Sequence, residues 1–138
     1  MGVSWITDTQ AKLYTIAKVR AERVLKPLYP DIRFTQDDSA QLDAQFPTVY
    51  IHYLQGMETA RDMDGSQVNA FSSDVQIDVT VSKAQGKTVA ERVINEVVEQ
   101  YKTLRYNLRG IPVIVPTGND TKQISARLNR LIGADDAL

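Results

Sequence analysis

The sequence predicts an α+β fold, a mostly antiparallel sheet of about four to five strands with two helices packed on one face. In two segments apolar residues recur at i, i+3 and i+4, which is the spacing of a helix with one buried face. Shorter segments alternate apolar and polar residues, as strands with one dry face do. The order of segments is helix, two strands, a long polar segment, strand, helix and two strands. Helices covering one face of an antiparallel sheet are the natural packing for this order.

Length and composition predict one ordinary globular domain over residues 1–138. A chain of 138 residues buries about 70% of its unfolded surface in a single core. Its 43% hydrophobic and 24% charged residues are close to the globular average. No apolar run approaches the roughly 20 residues that cross a bilayer, and the N-terminus has no signal-peptide pattern. We therefore expect a protein that is made in the cytoplasm and does not contact a membrane.

Residue usage narrows the possible chemistry. The chain has no cysteine and one histidine, His52, which excludes disulfides, thiolate sites and multi-histidine metal sites. The net charge of −1 gives no general attraction to nucleic acid. Residue usage therefore excludes much catalytic chemistry, and no cofactor or metal is predicted.

The first predicted helix runs from Trp5 to Lys26, with Thr7 or Asp8 as its cap and Pro27 limiting its end. One face is predicted to pack on the core and carries Leu13, Tyr14, Ala17, Ala21, Val24, Leu25 and Leu28. The opposite face carries Lys12, Arg20, Arg23 and Lys26. Ile16 and Val19 fall among these basic residues, where a monomer would leave them wet. We predict that Ile16, Val19, Arg20 and Arg23 contact a neighbouring subunit.

The second predicted helix covers residues 88–108. Thr88 and Glu91 form a capping-box pattern at its start, and Gly110 can close its end. Its predicted core residues are Ala90, Val93, Ile94, Val97, Val98, Tyr101, Leu104 and Leu108. This segment is the clearest helix in the chain.

Five segments are predicted to be strands: 32–35, 49–54, 74–81, 111–115 and 124–129. The fourth carries Pro112 and ends at Pro116, and prolines withhold hydrogen-bond donors, so it predicts a protected sheet edge. In the fifth strand the alternation slips at Leu131, which predicts a bulge or the strand end after Arg130. Residues 133–138 are predicted to be a loose acidic tail.

The polar segment 55–69 lies between two predicted strands and is too long for a simple turn. Extended at roughly 3.3 Å per residue it runs out and back about 25 Å, against an expected radius of gyration near ~14 Å. We predict an arm that orders on assembly and contacts a partner through Met57, Glu58, Arg61, Asp62, Met63, Asp64 and Val68. The alternatives are a mobile loop without a function, or two strands continuing as a longer ribbon.

Several motifs favour a structural interpretation over a chemical one. The Gly86–Thr88 stretch follows a strand like a phosphate-binding loop, but Val81 stands where the first glycine belongs. Residues 62–66 lack the remaining oxygens of a calcium loop, and Asp37-Asp38 has no partner base. His52 has no second ligand, so it is predicted to be an exposed or cross-strand histidine. The basic face of the first helix is typical of a solvated surface. Nucleotide or small-ligand binding remains the alternative from a different class.

Two stretches, "KPLYPDIRFTQDDSAQLDAQFPTVYIHYLQGMETARDMDG" and "NDTKQISARLNRLIG", resemble the tail-completion proteins of long-tailed bacteriophages, the tail-terminator or tail-to-head joining group. The resemblance covers nearly the whole chain through the order of elements, the entry into a strand at residues 46–48, the long inter-strand segment and the late hairpin. It implies an inert α+β domain that forms a ring, commonly a hexamer, at the head-proximal end of the tail tube. It also implies a virion location, with the tube protein and the head connector as partners.

A ring of this kind sets requirements for the surface of each subunit. A head-to-tail contact needs two different patches, here the Ile16 and Val19 side of the first helix and the wet face or edge of the sheet. DNA must pass through the lumen without binding, which a neutral or acidic lining favours. Asp74 and Asp78, on the wet face of the third predicted strand, are the predicted lumen residues. A head-side connector adaptor is the alternative within this class.

Overall fold

The computed structural model describes residues 4–36, 46–54, 58–61, 68–110, 112–116 and 121–133. Two helices and seven strands lie in these ranges, and the predicted α+β class is confirmed. The elements are α1 (Ser4–Leu25), β1 (Arg33–Thr35), β2 (Thr48–Leu54), β3 (Glu58–Arg61), β4 (Val68–Ser82), α2 (Gly86–Thr103), β5 (Asn107–Leu108), β6 (Val113–Pro116) and β7 (Thr121–Gly133). Neither helix is long and apolar enough to cross a membrane in the part of the chain that the structure describes.

The sheet is centred on β4 and β7, which pair over the whole length of β7 from Ala70↔Gly133 to Ser82↔Thr121. The strand order is β1-β2-β4-β7-β5, with β3 paired to β4 and β6 paired to β7. Only β1 and β2 are parallel among the described pairs, so the prediction of a mostly antiparallel sheet is confirmed. The predicted number of strands is too low, because β3 and β5 fall in segments predicted to be loop and helix.

The two helices lie side by side on the sheet. α2 packs on β4 and β7, and α1 packs against α2. β5 and β6 form the edge of the sheet on the side of β7 away from β4. The outer surface of α1, the α1 flank, and this β5–β6 edge are two different parts of the molecular surface.

α1 buries Leu13, Ala17, Ala21 and Leu25, as predicted, but two of its predicted core residues are on the surface. Val24 is 48% exposed and Leu28 is 51% exposed. Leu28 lies in the turn after the helix, and the end of α1 therefore leaves this part of the predicted face uncovered. The predicted cap residues Thr7 and Asp8 lie inside α1, because the helix begins at Ser4.

The start of α2 does not use the predicted capping box. The helix begins at Gly86, so Thr88 lies in its first turn and Glu91 instead pairs with Lys87 at 3.6 Å. Gln85 is the N-cap residue, and its side-chain oxygen accepts a hydrogen bond from the Ser82 backbone N–H at 3.2 Å. The turn between β4 and α2 is thus stabilised by Gln85.

The C-terminus of α2 is closed by Arg105 and not by Gly110. Arg105 has a φ of +72°, and its N–H donates to the Lys102 carbonyl at 2.9 Å. The Tyr106 N–H donates to the Tyr101 carbonyl at 3.0 Å, which completes a Schellman motif. The rings of Tyr101 and Tyr106 meet edge to face at 5.1 Å, so an apolar contact accompanies the motif.

Replacing Arg105 with glycine is expected to stabilise the protein. Arginine in the left-handed conformation costs about 1 kcal/mol relative to glycine, and we expect a net gain of about 0.5–1 kcal/mol. Urea unfolding followed by circular dichroism measures the change. The matched control is Lys102→Gly in the last turn of α2, which is expected to destabilise by about 1 kcal/mol. A loss of stability in the Arg105 variant would contradict this reading of the cap.

The predicted bulge after Arg130 is wrong, because pairing between β7 and β4 continues through Leu131↔Ser72 and Ile132↔Phe71. The inward-facing row of β7 is Ile124, Ala126, Leu128, Arg130 and Ile132. Arg130 takes an inward position and Leu131 an outward one. The apparent slip in the alternation is thus a buried arginine in a regular strand.

Four tyrosines contribute to the interior between the helices and the sheet. The hydroxyl groups of Tyr53 and Tyr101 are hydrogen-bonded at 2.9 Å, and those of Tyr106 and Ser73 at 2.7 Å. Burial raises the pKa of Tyr53 and Tyr101 far above the usual value for tyrosine, and it also raises the pKa of Tyr106 and Tyr14. The polar ends of these large side chains are therefore held neutral inside the fold.

Candidate functional surfaces

The face of the sheet opposite the helices carries an ordered polar layer around Asp78. The Asp78 carboxylate accepts hydrogen bonds from Ser125 Oγ at 2.6 Å and from Gln76 Nε2 at 3.1 Å. His52 Nε2 lies 3.3 Å from the same carboxylate. These groups come from β2, β4 and β7, because Tyr50↔Asp78 and Asp78↔Ser125 are cross-strand pairs. The layer therefore ties the three central strands together on their outer side.

The polar layer continues along the sheet on both sides of Gln76. Arg127 Nη2 donates to Gln76 Oε1 at 3.0 Å, and Asn129 Nδ2 donates to the Asp74 carboxylate. The ring of His52 stacks on that of Tyr50 with centroids 4.4 Å apart. The sequence predicts an exposed or cross-strand His52 but does not identify Asp78 as its partner, because that depends on the register of β2 against β4, which no local pattern contains.

The two predicted lumen residues do share this outer face, but only one is open to solvent. Asp78 is 6% exposed, because its hydrogen-bonding neighbours cover it. Asp74 is half-buried. The expectation that Asp78 faces solvent is therefore wrong. Asp74 is partly exposed, so it alone keeps part of its predicted contact with solvent.

Thr80, next to Asp78 on the outer face, has a buried hydroxyl with no hydrogen-bond partner among the described residues. We expect Thr80→Val to raise the free energy of unfolding by about 1 kcal/mol, because valine has the same shape without the unsatisfied group. Urea unfolding measures this change in the free energy of unfolding. Ser73→Ala is the control on the same strand, since the Ser73 hydroxyl is bonded to Tyr106, and it is expected to lose about 1 kcal/mol. A destabilised Thr80 variant would show that the hydroxyl has a partner.

Exposed apolar side chains lie on α1, on β6 and on the outer face of β7. On the α1 flank Val19 is 46% exposed, beside the exposed Arg23; their contact with a neighbouring subunit stays a prediction. Ile16 is different, because it is partly buried against the core and was expected to be wet. Arg20 is exposed and donates to Thr103 Oγ1 at 3.4 Å, so it joins the two helices. At the β5–β6 edge Val113 is 61% exposed, and Leu131 of β7 is equally exposed on the outer face.

A groove of about 470 Å³ lies between the end of α1 and the middle of α2. The exposed side chains of Val24 and Leu28 line it together with Leu25, Arg92, Asn95, Glu96 and Glu99. Its apolar floor and charged rim are typical of a protein contact. The groove therefore continues the exposed apolar surface of α1 toward α2.

The predicted arm is a β-ribbon where the structure describes it. β3 pairs antiparallel with the start of β4, with Glu58 opposite Phe71 and Arg61 opposite Val68. These residues therefore match the alternative prediction, in which two strands continue as a longer ribbon. The predicted contact residues Glu58, Arg61 and Val68 lie in these strands. The other predicted contacts, Met57, Asp62, Met63 and Asp64, lie outside the described residues, as do residues 37, 38, 62–67 and 134–138.

β4 is longer than α2, the helix that packs on it. β4 has 15 residues and α2 has 18, which correspond to about 50 Å of strand and about 27 Å of helix. The ring of Trp5, near the start of α1, contacts that of Phe71 at 5.4 Å. The ribbon begins at this end of β4, where Glu58 of β3 lies opposite Phe71.

The Gly86–Thr88 stretch does not form a phosphate-binding loop. Gly86 is the first residue of α2, with a φ of +71°, and the Lys87 ammonium lies 3.6 Å from the Glu91 carboxylate. A cleft of about 480 Å³ does open beside Lys87, between α2 and β6. Glu91 also lines this cleft and would repel a phosphate. The described residues contain no group of three potential metal ligands.

Comparison of the sequence with protein-family models gives no match, and no curated protein is detectably similar to it. The features that bear on function are therefore the segment resemblance, the exposed apolar side chains of α1 and β6, the ribbon and the polar outer face.

Proposed function

We propose that this protein is a non-enzymatic structural protein of a bacteriophage virion, of the tail-terminator or tail-completion type. Copies of the chain form a ring, expected to be a hexamer, at the head-proximal end of the tail tube. The ring ends tube growth and joins the tail to the head, so its partners are the tube protein and the head connector. The protein is made in the host cytoplasm and resides in the virion.

The observation that carries this proposal is the placement of exposed apolar side chains on two different elements, α1 and the edge strand β6. A closed ring needs a head-to-tail contact between two different patches of each subunit. Val19 lies on α1, and Val113 lies on β6, where its pairing with Ser125 puts its side chain on the outer face of the sheet edge. Each would lose its contact with water when the α1 flank of one copy packs against the β6 edge of the next.

The ribbon of β3 and β4 supports the second part of the proposal, contact with other virion proteins. The ribbon lies at the end of β4 that pairs with Gly133, whereas β6 pairs with residues 122–125 near the other end of β7. Its position at one end of β4, away from the β4–α2 turn, separates the two kinds of contact. The ribbon therefore suits docking to the tube or the connector while α1 and β6 hold the ring.

The outer face of the sheet suits a surface past which DNA moves without binding. Asp74 and Asp78 offset Arg33 and Arg127 on this face. Gln76 donates a hydrogen bond to Asp78 and accepts one from Arg127. A face without excess positive charge gives little counterion-driven affinity for DNA.

The ring is tested by native mass spectrometry of the wild type and two variants, Val19→Asp and Val113→Asp. The wild type is expected to form rings, alone or when tail tubes are added, and each variant is expected to remain monomeric with its fold intact. Ala84→Asp is the control, because Ala84 is exposed in the β4–α2 turn and lies on neither α1 nor β6. This control is expected to assemble normally.

Mixing the two variants distinguishes a head-to-tail contact from a symmetric one. Each variant keeps one intact patch, so an equimolar mixture is expected to form a one-to-one dimer that cannot close. Electron micrographs with tail tubes should show wild-type rings at one tube end. A wild-type monomer that ignores tubes would overturn the proposal, and rings that bind the head connector but not tubes would favour the head-side adaptor.

The cleft beside Lys87 supports a second candidate function, binding of a nucleotide or another small ligand. Its volume of about 480 Å³ is within the range of ligand pockets. The ion pair of Lys87 with Glu91 argues against phosphate recognition there. A rise in melting temperature with nucleotide and Mg²⁺ that is lost in Lys87→Gln would favour this candidate over the structural one.

A further inference from the structure

The cleft between α2 and β6 opens beside the exposed Val113. Its volume is about 480 Å³, and the lining residues from the sheet side, Pro112, Val113, Ile114 and Ile124, are apolar. The lining residues from α2 are Lys87, Glu91 and Asn95, and Glu91 supplies the one carboxylate among the described lining residues. The cleft therefore suits a convex partner that brings an apolar side chain next to a positive charge.

The α1 flank is the described surface that has this combination. Among the described residues, five large apolar side chains are exposed: Val19, Val24, Leu28, Val113 and Leu131. Val24 and Leu28 line the groove between the helices, and Leu131 lies on the outer face of the sheet. Val113 is itself a lining residue of the cleft. Val19 remains, and it lies on the convex surface of α1, where the cleft of another copy can receive it.

The charge beside Val19 complements the α2 side of the cleft. Arg23 lies one turn after Val19, so the two side chains share a face of α1. Arg23 is exposed and forms no ion pair with another described residue, whereas Arg20 on the same flank already donates to Thr103. The long side chain of Arg23 can therefore reach the Glu91 carboxylate of a neighbouring copy when Val19 enters the cleft.

The ion pair that Glu91 already forms does not prevent this contact. The Lys87 ammonium lies 3.6 Å from the Glu91 carboxylate, and the two side chains are 67% and 44% exposed. An exposed pair of this kind contributes little to stability because water screens it. The carboxylate has two oxygens, so a guanidinium can bind it while Lys87 turns toward solvent. Glu91 is therefore available to a cation from a neighbouring subunit.

We propose that this cleft receives α1 of a neighbouring copy, with Val19 against its apolar side and Arg23 paired with Glu91. The pairing rests on the proposed function, because it joins adjacent subunits of the ring. The apolar contact removes surface from water, and the ion pair fixes the register of one copy on the next. The occupant of the cleft is then a second copy of the chain and not a small ligand.

Charge reversal on a single contact tests this pairing. In a mixture of the Val113→Asp and Val19→Asp chains, the remaining contact joins α1 of the first chain to the β6 edge of the second. Arg23→Glu is therefore placed in the first chain and Glu91→Arg in the second, and isothermal titration measures the Kd of the heterodimer. We expect either reversal alone to raise the Kd at least about tenfold, because like charges then face each other. Both reversals together are expected to return the Kd to within about threefold of the original pair.

The same substitutions in the other chain are the matched controls. Arg23→Glu in the Val19→Asp chain and Glu91→Arg in the Val113→Asp chain lie outside the remaining contact, so each is expected to leave the Kd within about twofold. These controls separate a lost contact from a damaged fold, because the substitutions are identical and only their position in the heterodimer differs.

The outcomes separate failure of this pairing from failure of the proposed function. A heterodimer that ignores the reversals, or reversals whose effects simply add, would overturn the pairing while the ring stands. Absence of any heterodimer or ring would overturn both. Reversals without effect in a chain whose melting temperature rises with ATP and Mg²⁺ would assign the cleft to a small ligand instead.

Discussion

Replacing Arg130 with alanine is expected to lower the free energy of unfolding by about 3–5 kcal/mol. The side chain fills an inward position of β7 between Leu128 and Ile132, so its removal leaves a cavity. It also removes the donor to the Leu104 carbonyl, which stays buried at the end of α2. A buried carbonyl without a partner costs about 1–3 kcal/mol by itself. The loss of a favourable positive charge at the helix C-terminus adds to this.

Urea unfolding of a matched series measures this effect. Arg127→Ala on the same strand is the control, because Arg127 is exposed on the outer face and is expected to change stability by less than about 1 kcal/mol. Arg130→Lys keeps the charge but not the guanidinium fork, so it is expected to fall between wild type and Arg130→Ala. An Arg130→Ala variant within about 1 kcal/mol of wild type would show that the guanidinium is not part of the core.

The α+β class was predictable because the core of each main element follows one period. α2 buries Ala90, Val93, Ile94, Val97, Val98 and Tyr101, all predicted from helical spacing. The inward residues Val75, Ile77 and Val79 of β4 follow the strand period just as closely. Buried positions recur with one period along a whole element, so a single exception does not hide that period.

Element ends and edges were not predictable in the same way, because they depend on contacts distant in sequence. Residues 107 and 108 continue the helical pattern of α2, yet they pair with β7 as β5. The end of α2 follows from this pairing and from the conformation of Arg105. β1 is parallel to β2, and no local sequence signal specifies that choice.

The surfaces proposed for assembly were predictable only in part. Val19 follows from an apolar residue on a polar helix face, and its exposure agrees with that reading. The helical spacing predicts Val24 and Leu28 to be core residues, because spacing alone does not show where the packing around α1 ends. Arg130 and Asp78 are charged residues that burial makes important, and each depends on partners from other elements. A charge in a sequence is assigned to the surface by default, so buried charges are the residues that sequence reasoning misses.

The buried tyrosines predict a steep loss of stability at alkaline pH. Desolvation by burial raises the pKa of Tyr53 and Tyr101 in the folded protein, whereas unfolded tyrosine has a pKa of about 10. Below about pH 10 both states keep the proton, and the stabilisation is complete. Above it only the unfolded state releases the proton, so unfolding becomes easier by about 1.4 kcal/mol per pH unit for each tyrosine. The two together are expected to cost about 3 kcal/mol between about pH 8 and about pH 11.

Urea midpoints measured from about pH 8 to about pH 11, with the near-ultraviolet absorbance of tyrosinate, test this expectation. The tyrosinate signal of the buried groups should appear together with unfolding and not before it. Tyr53→Phe removes one of the two groups and should reduce the pH-dependent loss by about half, although it lowers stability at neutral pH because the Tyr101 hydroxyl loses its partner. A free energy of unfolding that stays flat while tyrosinate forms in the folded protein would contradict the buried pair, since ionisation without unfolding requires these hydroxyls to reach water.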